Sequence, residues 1–276
     1  MTNKQRLLAI DVGLRELTGD QLRARVARAQ LYLIDMRPAS NAADAPNAAL
    51  MRDHLAYLYK LELEGRLYGS GPLGADGGPL SHDLAIVAAR TRGEANEIAA
   101  NEPLNKAGLR HNSVQPHTMN EGVACYFGRA LSKRAAAQTR SFDPDVSAIN
   151  LTYEELSSRA AGIQLYLVDL KPTDKPRAKE DSQTGYDHFI WLRDHEMQAK
   201  LMSCGPIEPP EPLAPGIWGG GLGIAATSQA EADRIADVEP SGRAGYRTVS
   251  ARPWTMNYGL AVPIAKGLTT LNSLPA

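Results

Sequence analysis

The sequence has few cysteines, few aromatic residues and almost no net charge. Its 276 residues include two cysteines, Cys125 and Cys204, too few for a disulfide framework or, without several nearby histidines, for a zinc site. Lys and Arg number 30 and Asp and Glu 31, so the formal net charge is −1. Nucleic acids and acidic membranes attract basic surfaces, so this balance argues against both as partners.

Long apolar runs are also missing. Asp11, Arg15 and Glu16 interrupt the amino-terminal segment, so no signal-peptide core is present. No stretch reaches the roughly 18 apolar residues that a membrane helix needs. We therefore expect a cytoplasmic protein. Hydrophobic residues make up 43% of the chain, a globular share, and its length suits two small domains or one large one.

One unit occurs twice in this chain. Residues 30–38 (QLYLIDMRP) return as residues 164–172 (QLYLVDLKP), and later matches such as 118–120 with 255–257 (both TMN) keep the same order. The offset between matched residues grows from 134 to 137, which indicates one three-residue insertion, most simply in the proline-rich stretch 208–215. So many collinear matches indicate a domain duplication.

Each unit is predicted to fold as β-α-β-β-α-β. In the first unit we expect strands at 31–36, 67–70, 84–89 and 112–115, helices at 51–63 and 94–100, and flanking helices at 17–29 and 123–138. This order is the ferredoxin-like plan, with both helices on one face of an antiparallel sheet. The bare sheet faces of two copies can cover each other.

The predicted fold class is therefore α+β. Two tandem ferredoxin-like units, with extra flanking helices, would form an intrachain pseudo-dimeric α/β barrel. The predicted domains are residues 1–140 and 141–276, each with a leading and a trailing helix, and a polar linker lies near 141–145.

The first unit contains the segments 54–58 (HLAYL), 64–67 (EGRL), 71–73 (GPL), 77–78 (GG) and 102–109 (EPLNKAGL). In order and spacing these segments resemble the YCII-related (YciI-like) family over most of residues 30–118. The second unit matches more loosely, through His188, 205–206, 239–240, 244–245 and 252–254 (RPW). The counterpart of residues 252–254 in the first unit is residues 115–117 (QPH).

This resemblance implies a dimeric α/β barrel with a cleft that holds a histidine and an acidic residue as a catalytic pair. Carried over, the pairs are His54 with Glu102 and His188 with Glu239. The family's acid is usually Asp, whereas both units here have Glu. Relatives of known activity include a dehydrochlorinase of aromatic breakdown, and the similar barrel of muconolactone isomerases serves the same kind of pathway.

Two functions are compatible with this pattern. One is a cofactor-free acid–base enzyme, a lyase or an isomerase, which carries out elimination, isomerisation or lactone rearrangement on a small oxygenated or chlorinated aromatic-derived compound. The other is a non-catalytic ligand-binding or assembly module that uses the same cleft. Either way we expect a small-molecule ligand, no cofactor and no metal, and a homo-oligomer is left open.

Other matched residues are candidates for binding the substrate. Arg110 and Arg247, just before the last strand of each unit, could hold a carboxylate or phenolate, or be surface charges. Tyr32 and Tyr166 lie within the first strand of each unit, where core packing is the alternative role. Asp53 and Asp187, next to the histidines, are expected to be helix-start residues.

Further residues are expected to be structural. His82, His111 and His117 occur in the first unit only and lack metal-ligand spacing. Cys204 has Ser70 as its counterpart, which argues against a thiol nucleophile. The glycine-rich segment 219–223 lacks the Lys-Ser/Thr of a phosphate-binding loop and is predicted to be a flexible loop that leads into a strand.

Overall fold

Two antiparallel four-stranded sheets form the centre of the molecule. The computed structural model describes residues 18–24, 26–40, 46–74, 80–178 and 181–274. Its strands are β1 (Ala29–Pro38), β2 (Leu67–Pro72), β3 (Asp83–Val87), β4 (Arg110–Met119), β5 (Ile163–Pro172), β6 (Leu201–Pro206), β7 (Gly221–Ala225) and β8 (Arg247–Met256). The strand orders are β2-β3-β1-β4 and β6-β7-β5-β8.

Helices lie on the outer faces of the sheets and at their ends. They are α1 (Gly19–Ala24), α2 (Ala48–Leu63), α3 (Arg92–Asn101), α4 (Pro103–Lys106), α5 (Cys125–Ala137), α6 (Tyr153–Ser157), α7 (Gln183–Met197), α8 (Gln229–Asp237), α9 (Pro240–Arg243) and α10 (Val262–Ser273). The predicted α+β class and the βαββαβ order of each unit are confirmed. Among the described residues, no helix is both long and apolar enough to cross a lipid bilayer.

Two predicted elements differ from the structure. The leading helix expected at 17–29 is the short α1, and Ala29 already pairs with Met119 in the sheet. Residue 17 and the segment 77–78 lie outside the described residues. The last strand of the first unit runs over ten residues rather than four. Pro116 is tolerated there because β4 is an edge strand of its own sheet, where one side needs no ladder hydrogen bond.

Local signals set the helix ends that position the site. Asn47 caps α2 by accepting a hydrogen bond from the Leu50 N–H at 2.8 Å, and Gly65 after its end has a φ of +72°, which favours glycine. Glu102 ends α3 because Pro103 follows it, and the same carboxylate caps α4. Glu239 and Pro240 repeat this arrangement in the second unit.

The two sheets pack face to face around a shared apolar core. Alternate residues of the central strands, such as Leu31 and Leu165, point into it and are fully buried. Trp254 of β8 is also fully buried and donates its indole N–H to the Gly71 carbonyl of the first unit at 3.0 Å. His117 is its counterpart and approaches the Pro206 carbonyl with Nδ1 at 3.2 Å. This core therefore joins the two units.

The leading helices cross to the opposite unit. Leu22 of α1 packs against Ile190 of α7, and Leu156 of α6 joins the cluster that contains Leu55 and Leu58 of α2. Each leading helix therefore covers the other unit rather than its own. The division at residue 140 stays a prediction, and these contacts cross it.

Candidate functional site

Two matched clefts lie between the first long helix of each unit and its sheet. The cleft of the second unit has a volume of about 610 Å³ and is lined by α7, β6, the start of β8 and residues of α1. The cleft of the first unit has a volume of about 340 Å³ and is lined by α2, β2, the start of β4 and residues of α6. We name them the second cleft and the first cleft.

A histidine–glutamate pair lies at the second cleft. Nδ1 of His188, on α7, is 2.6 Å from Oε1 of Glu239, and the Glu239 side chain is fully buried. The His188 ring stacks on Trp191 at 5.7 Å and meets Trp218 edge-on at 5.7 Å. Burial lowers the pKa of His188, although the hydrogen bond and charge of Glu239 oppose this change. The imidazole is therefore neutral at neutral pH.

Glu239 is held as a carboxylate by several donors. Besides His188, it accepts hydrogen bonds from the Ser241 hydroxyl and the Gly242 N–H, both at 2.6 Å. Burial opposes ionisation, but the hydrogen bond and charge of His188 and the Ser241 bonds lower the Glu239 pKa to about 2. A neutral imidazole beside a carboxylate donates its Nδ1–H, so Nε2 of His188 carries a free lone pair.

Arg247 contributes a cation to the wall of the second cleft. It is 8% exposed, and its Nε donates to the Gly219 carbonyl at 2.8 Å. Its guanidinium lies 4.8 Å from the centre of the Trp218 ring, and the Arg177 guanidinium lies 4.9 Å from the same ring. This arrangement brings two cations and an aromatic ring to one side of the cleft.

The first cleft has the same pair in a tighter setting. Nδ1 of His54 is 2.7 Å from Oε1 of Glu102, and both side chains are almost fully buried. Burial opposes ionisation of Glu102, but His54 and the Leu104 N–H lower its pKa to about 2. The predicted pairing of His54 with Glu102 and of His188 with Glu239 therefore agrees with the geometry, while the catalytic role stays a prediction.

The arginines differ between the clefts. Arg110 is ion-paired with Asp83, at 2.5 Å between Nη2 and Oδ2, in the wall of the first cleft. Asp83 pairs with Met36 in the first sheet. Leu170 is the counterpart of Met36 in the second unit, and it pairs with Gly221, which makes Gly221 the counterpart of Asp83. Glycine therefore stands in the second unit where the first has the carboxylate.

The predicted tyrosines lie away from both clefts. Tyr32 is buried among the residues between the first sheet and its helices, and burial raises its pKa. Tyr166 packs against the matching cluster of the second unit. Neither lines a cleft. The prediction that Asp53 and Asp187 are helix-start residues is wrong, because neither α2 nor α7 has an acidic residue in its first turn. Asp53 instead contacts Arg52, and Asp187 accepts a hydrogen bond from Gln183.

The first unit's extra histidines do not come together. His82 contacts Asp35, His111 is exposed, and His117 is buried at the junction between the units. Within the described ranges, no group of three or more metal-ligating side chains forms. Cys204 lines the second cleft, but burial raises its thiol pKa, which argues against a nucleophile.

Sequence reasoning missed three residues of the second cleft. Arg177, Trp218 and Gly221 all line it, and Gly220 and Gly221 turn the predicted glycine-rich loop into part of its wall. Trp218 lies between β6 and β7, where the second unit has a longer loop than the first, so the first unit offered no counterpart to indicate it. The sequence offset of 137 aligns Asp83 with Gly220, and only the strand register matches Asp83 to Gly221.

Comparison with known proteins identifies the first unit. The model of the YCII-related domain matches residues 30–117, which confirms the family suggested for this unit but does not extend to the second. No curated protein matches. Two solved structures similar to nearly the whole chain are a mutant chlorite dismutase from Candidatus Nitrospira defluvii in complex with cyanide and a heme-binding protein from Thermus thermophilus.

Identity to both is low. The dismutase is 10% identical, with a TM-score of 0.45 and coverage of 99% of this chain and 100% of that one. The heme-binding protein is 12% identical, with a TM-score of 0.46 and coverage of 87% and 96%.

These comparisons correct one prediction. A cofactor-free acid–base enzyme acting on aromatic-derived compounds was expected, but the similar structures are a chlorite dismutase and a heme-binding protein. Neither is named a lyase or an isomerase, so that part of the prediction is also unsupported.

Proposed function

We propose that the second cleft binds haem and that His188 would ligate its iron. The observation that carries this proposal is the state of the His188 ring. Its Nδ1 is bonded to the buried carboxylate of Glu239, and no described residue hydrogen-bonds to Nε2 at the wall of a 610 Å³ cavity. Histidines that bind metal characteristically donate their other ring N–H to a carboxylate or carbonyl, which fixes the ring and strengthens the ligand.

The residues present fit such a group. Metal binding needs a neutral imidazole, and burial of His188 favours that form. The cavity volume falls in the range of roughly 300–1,000 Å³ typical of sites for organic ligands. Its walls carry the apolar and aromatic side chains of Leu170, Phe189, Leu192 and Trp218.

Two arginines suit the carboxylates of a porphyrin. Arg247 and Arg177 lie on the same side of the cleft, around Trp218. A guanidinium presents a planar fork of donors that matches a carboxylate, and partial burial strengthens that attraction. Bound haem would supply a redox-active iron, which His188 would hold. Glu239 would hold the His188 ring in the ligating orientation.

Titration with haemin tests this proposal. We expect the purified protein to bind one equivalent with a Soret spectrum of histidine-ligated iron, and H188A to bind at least tenfold more weakly with that spectrum lost. E239Q should keep binding but shift the iron–histidine stretching frequency in resonance Raman spectra, because a neutral partner weakens the Nδ1–H···O bond.

Two histidine variants serve as controls. H111A replaces an exposed histidine and H54A the histidine of the first cleft, and both should bind haemin as the parent protein does. Haemin binding that is equally strong and spectrally unchanged in H188A would contradict the proposal.

A further inference from the structure

We infer that one strand position, Asp83 in the first unit and Gly221 in the second, decides which cleft accepts a ligand carboxylate. Gly221 leaves Arg247 open to an anion, whereas Asp83 already occupies the arginine of the first cleft. This inference deepens the proposed function and names the anion-selecting residue.

The strand register establishes that the two positions are equivalent. Asp83 pairs with Met36 on one side and with Pro72 on the other. Gly221 pairs with Leu170 and Pro206, which are the repeat counterparts of those two residues. Both positions also line their clefts.

In the first cleft the carboxylate is built in. Asp83 accepts hydrogen bonds from Nη2 of Arg110 at 2.5 Å and from the Ser81 hydroxyl at 2.7 Å. Arg110 is 4% exposed, and its Nε and Nη1 are buried without a hydrogen-bond partner. A ligand carboxylate bound to those donors would lie next to the Asp83 carboxylate. Two neighbouring negative charges repel each other strongly in a buried site.

Among the described residues, Arg247 of the second cleft donates hydrogen bonds only to neutral acceptors. Arg247 donates to the Gly219 carbonyl and, at 3.4 Å, to the Ser241 hydroxyl. A carboxylate can replace such neutral acceptors because a charge-assisted bond is about twice as strong as a neutral one.

The charged groups around the two clefts also favour anion binding in the second cleft over the first. In the second cleft, Arg177 and Arg247 lie near two ionised carboxylates, Asp181 and Glu239, while Asp20 and Arg23 pair with each other at 2.6 Å. Glu121 also lines this cleft, and burial raises its pKa to about 8, so it is mostly protonated at pH 7.

The first cleft has a different balance. Asp83 and Glu102 outnumber Arg110 among its described charged groups. The first cleft thus has an excess of negative charge that the second cleft lacks, which disfavours anion binding in the first.

The first test places the carboxylate in the second cleft. Iron-free protoporphyrin IX carries two carboxylates but cannot be ligated by His188, so its binding, followed by fluorescence, reports on the arginine and not on iron. We expect G221D to weaken this binding at least tenfold and the isosteric G221N to weaken it less than threefold. G221N controls for crowding, because a Cβ at this position lies 3.0 Å from the Gly205 carbonyl oxygen.

The second test removes the carboxylate from the first cleft. The probe is 4-fluorobenzoate, which suits the smaller cavity, and its binding is followed by fluorine NMR in a G221D background that blocks the second cleft. We expect saturable binding in G221D/D83N and none in G221D alone. The G221D/D83E variant keeps the charge and should also bind none. Circular dichroism establishes that each variant is folded.

The outcomes separate the two proposals. Equal porphyrin binding by G221D and G221N would overturn the inference, as would a first cleft that stays empty in folded G221D/D83N. If the parent protein binds protoporphyrin IX but gives no Soret spectrum of histidine-ligated iron with haemin, the proposed haem ligation is overturned and the inference stands. A parent protein that binds neither porphyrin nor fluorobenzoate would overturn both.

Discussion

Replacing Glu239 by glutamine should remove about 3 kcal/mol of stability at neutral pH. The carboxylate is fully buried, and its partners lower its pKa from 4.5 to about 2. One pKa unit is worth about 1.4 kcal/mol, so this difference corresponds to about 3 kcal/mol of stabilisation of the ionised form. Glutamine keeps the size of the side chain and an acceptor oxygen for the α9 cap but removes the charge.

The pH dependence follows from the sign of the change. A carboxylate whose pKa is lower in the folded state stabilises the protein above its unfolded pKa, and that contribution disappears as the pH falls from about 4.5 to about 2. The part of the stability difference between the parent protein and E239Q that comes from the Glu239 charge should therefore shrink as the pH falls from about 4.5 to about 2.

Urea denaturation followed by circular dichroism at pH 7, 4.5 and 2.5 measures this difference. E97Q, which changes an exposed glutamate of α3, is the matched control and should alter the free energy of unfolding by less than about 0.5 kcal/mol. A difference between the parent protein and E239Q that is as small as that of E97Q, or that does not change with pH, would refute the reasoning.

Two further predictions concern packing. G205A should lower the melting temperature strongly, because a Cβ at this position would overlap the Thr118 carbonyl oxygen. G219A is the control and should change the melting temperature little, because no atom lies within 4 Å of a Cβ there. Equal melting temperatures of the two variants would contradict this close contact. The thiols of Cys125 and Cys204 should resist Ellman's reagent in the native protein and react once it is unfolded. Both thiols are buried, and burial raises their pKa. Rapid reaction of the native protein would contradict this prediction.

The repeat made much of the architecture predictable. A strand such as β1 has the same apolar pattern in both units, and Pro103 and Pro240 mark the same helix ends, so the βαββαβ order followed from local signals. Strand lengths were less accurate. The long β4 and β8 are stabilised by pairing with β1 and β5 over ten residues, and this non-local pairing has no local signature.

The two units and the order of their elements could be predicted from the sequence, because the same segments recur in the same order along the chain. The resemblance to the YCII-related family implied both histidine–glutamate pairs. Only the tertiary structure decided how the clefts differ. Trp218 and Arg177 reach the second cleft from loops, and the leading helices cross between the units. Gly221 and Arg247 line the same cleft only after the strands have paired. These contacts join residues far apart in the chain, and the balance of charge around a buried arginine depends on such contacts rather than on composition.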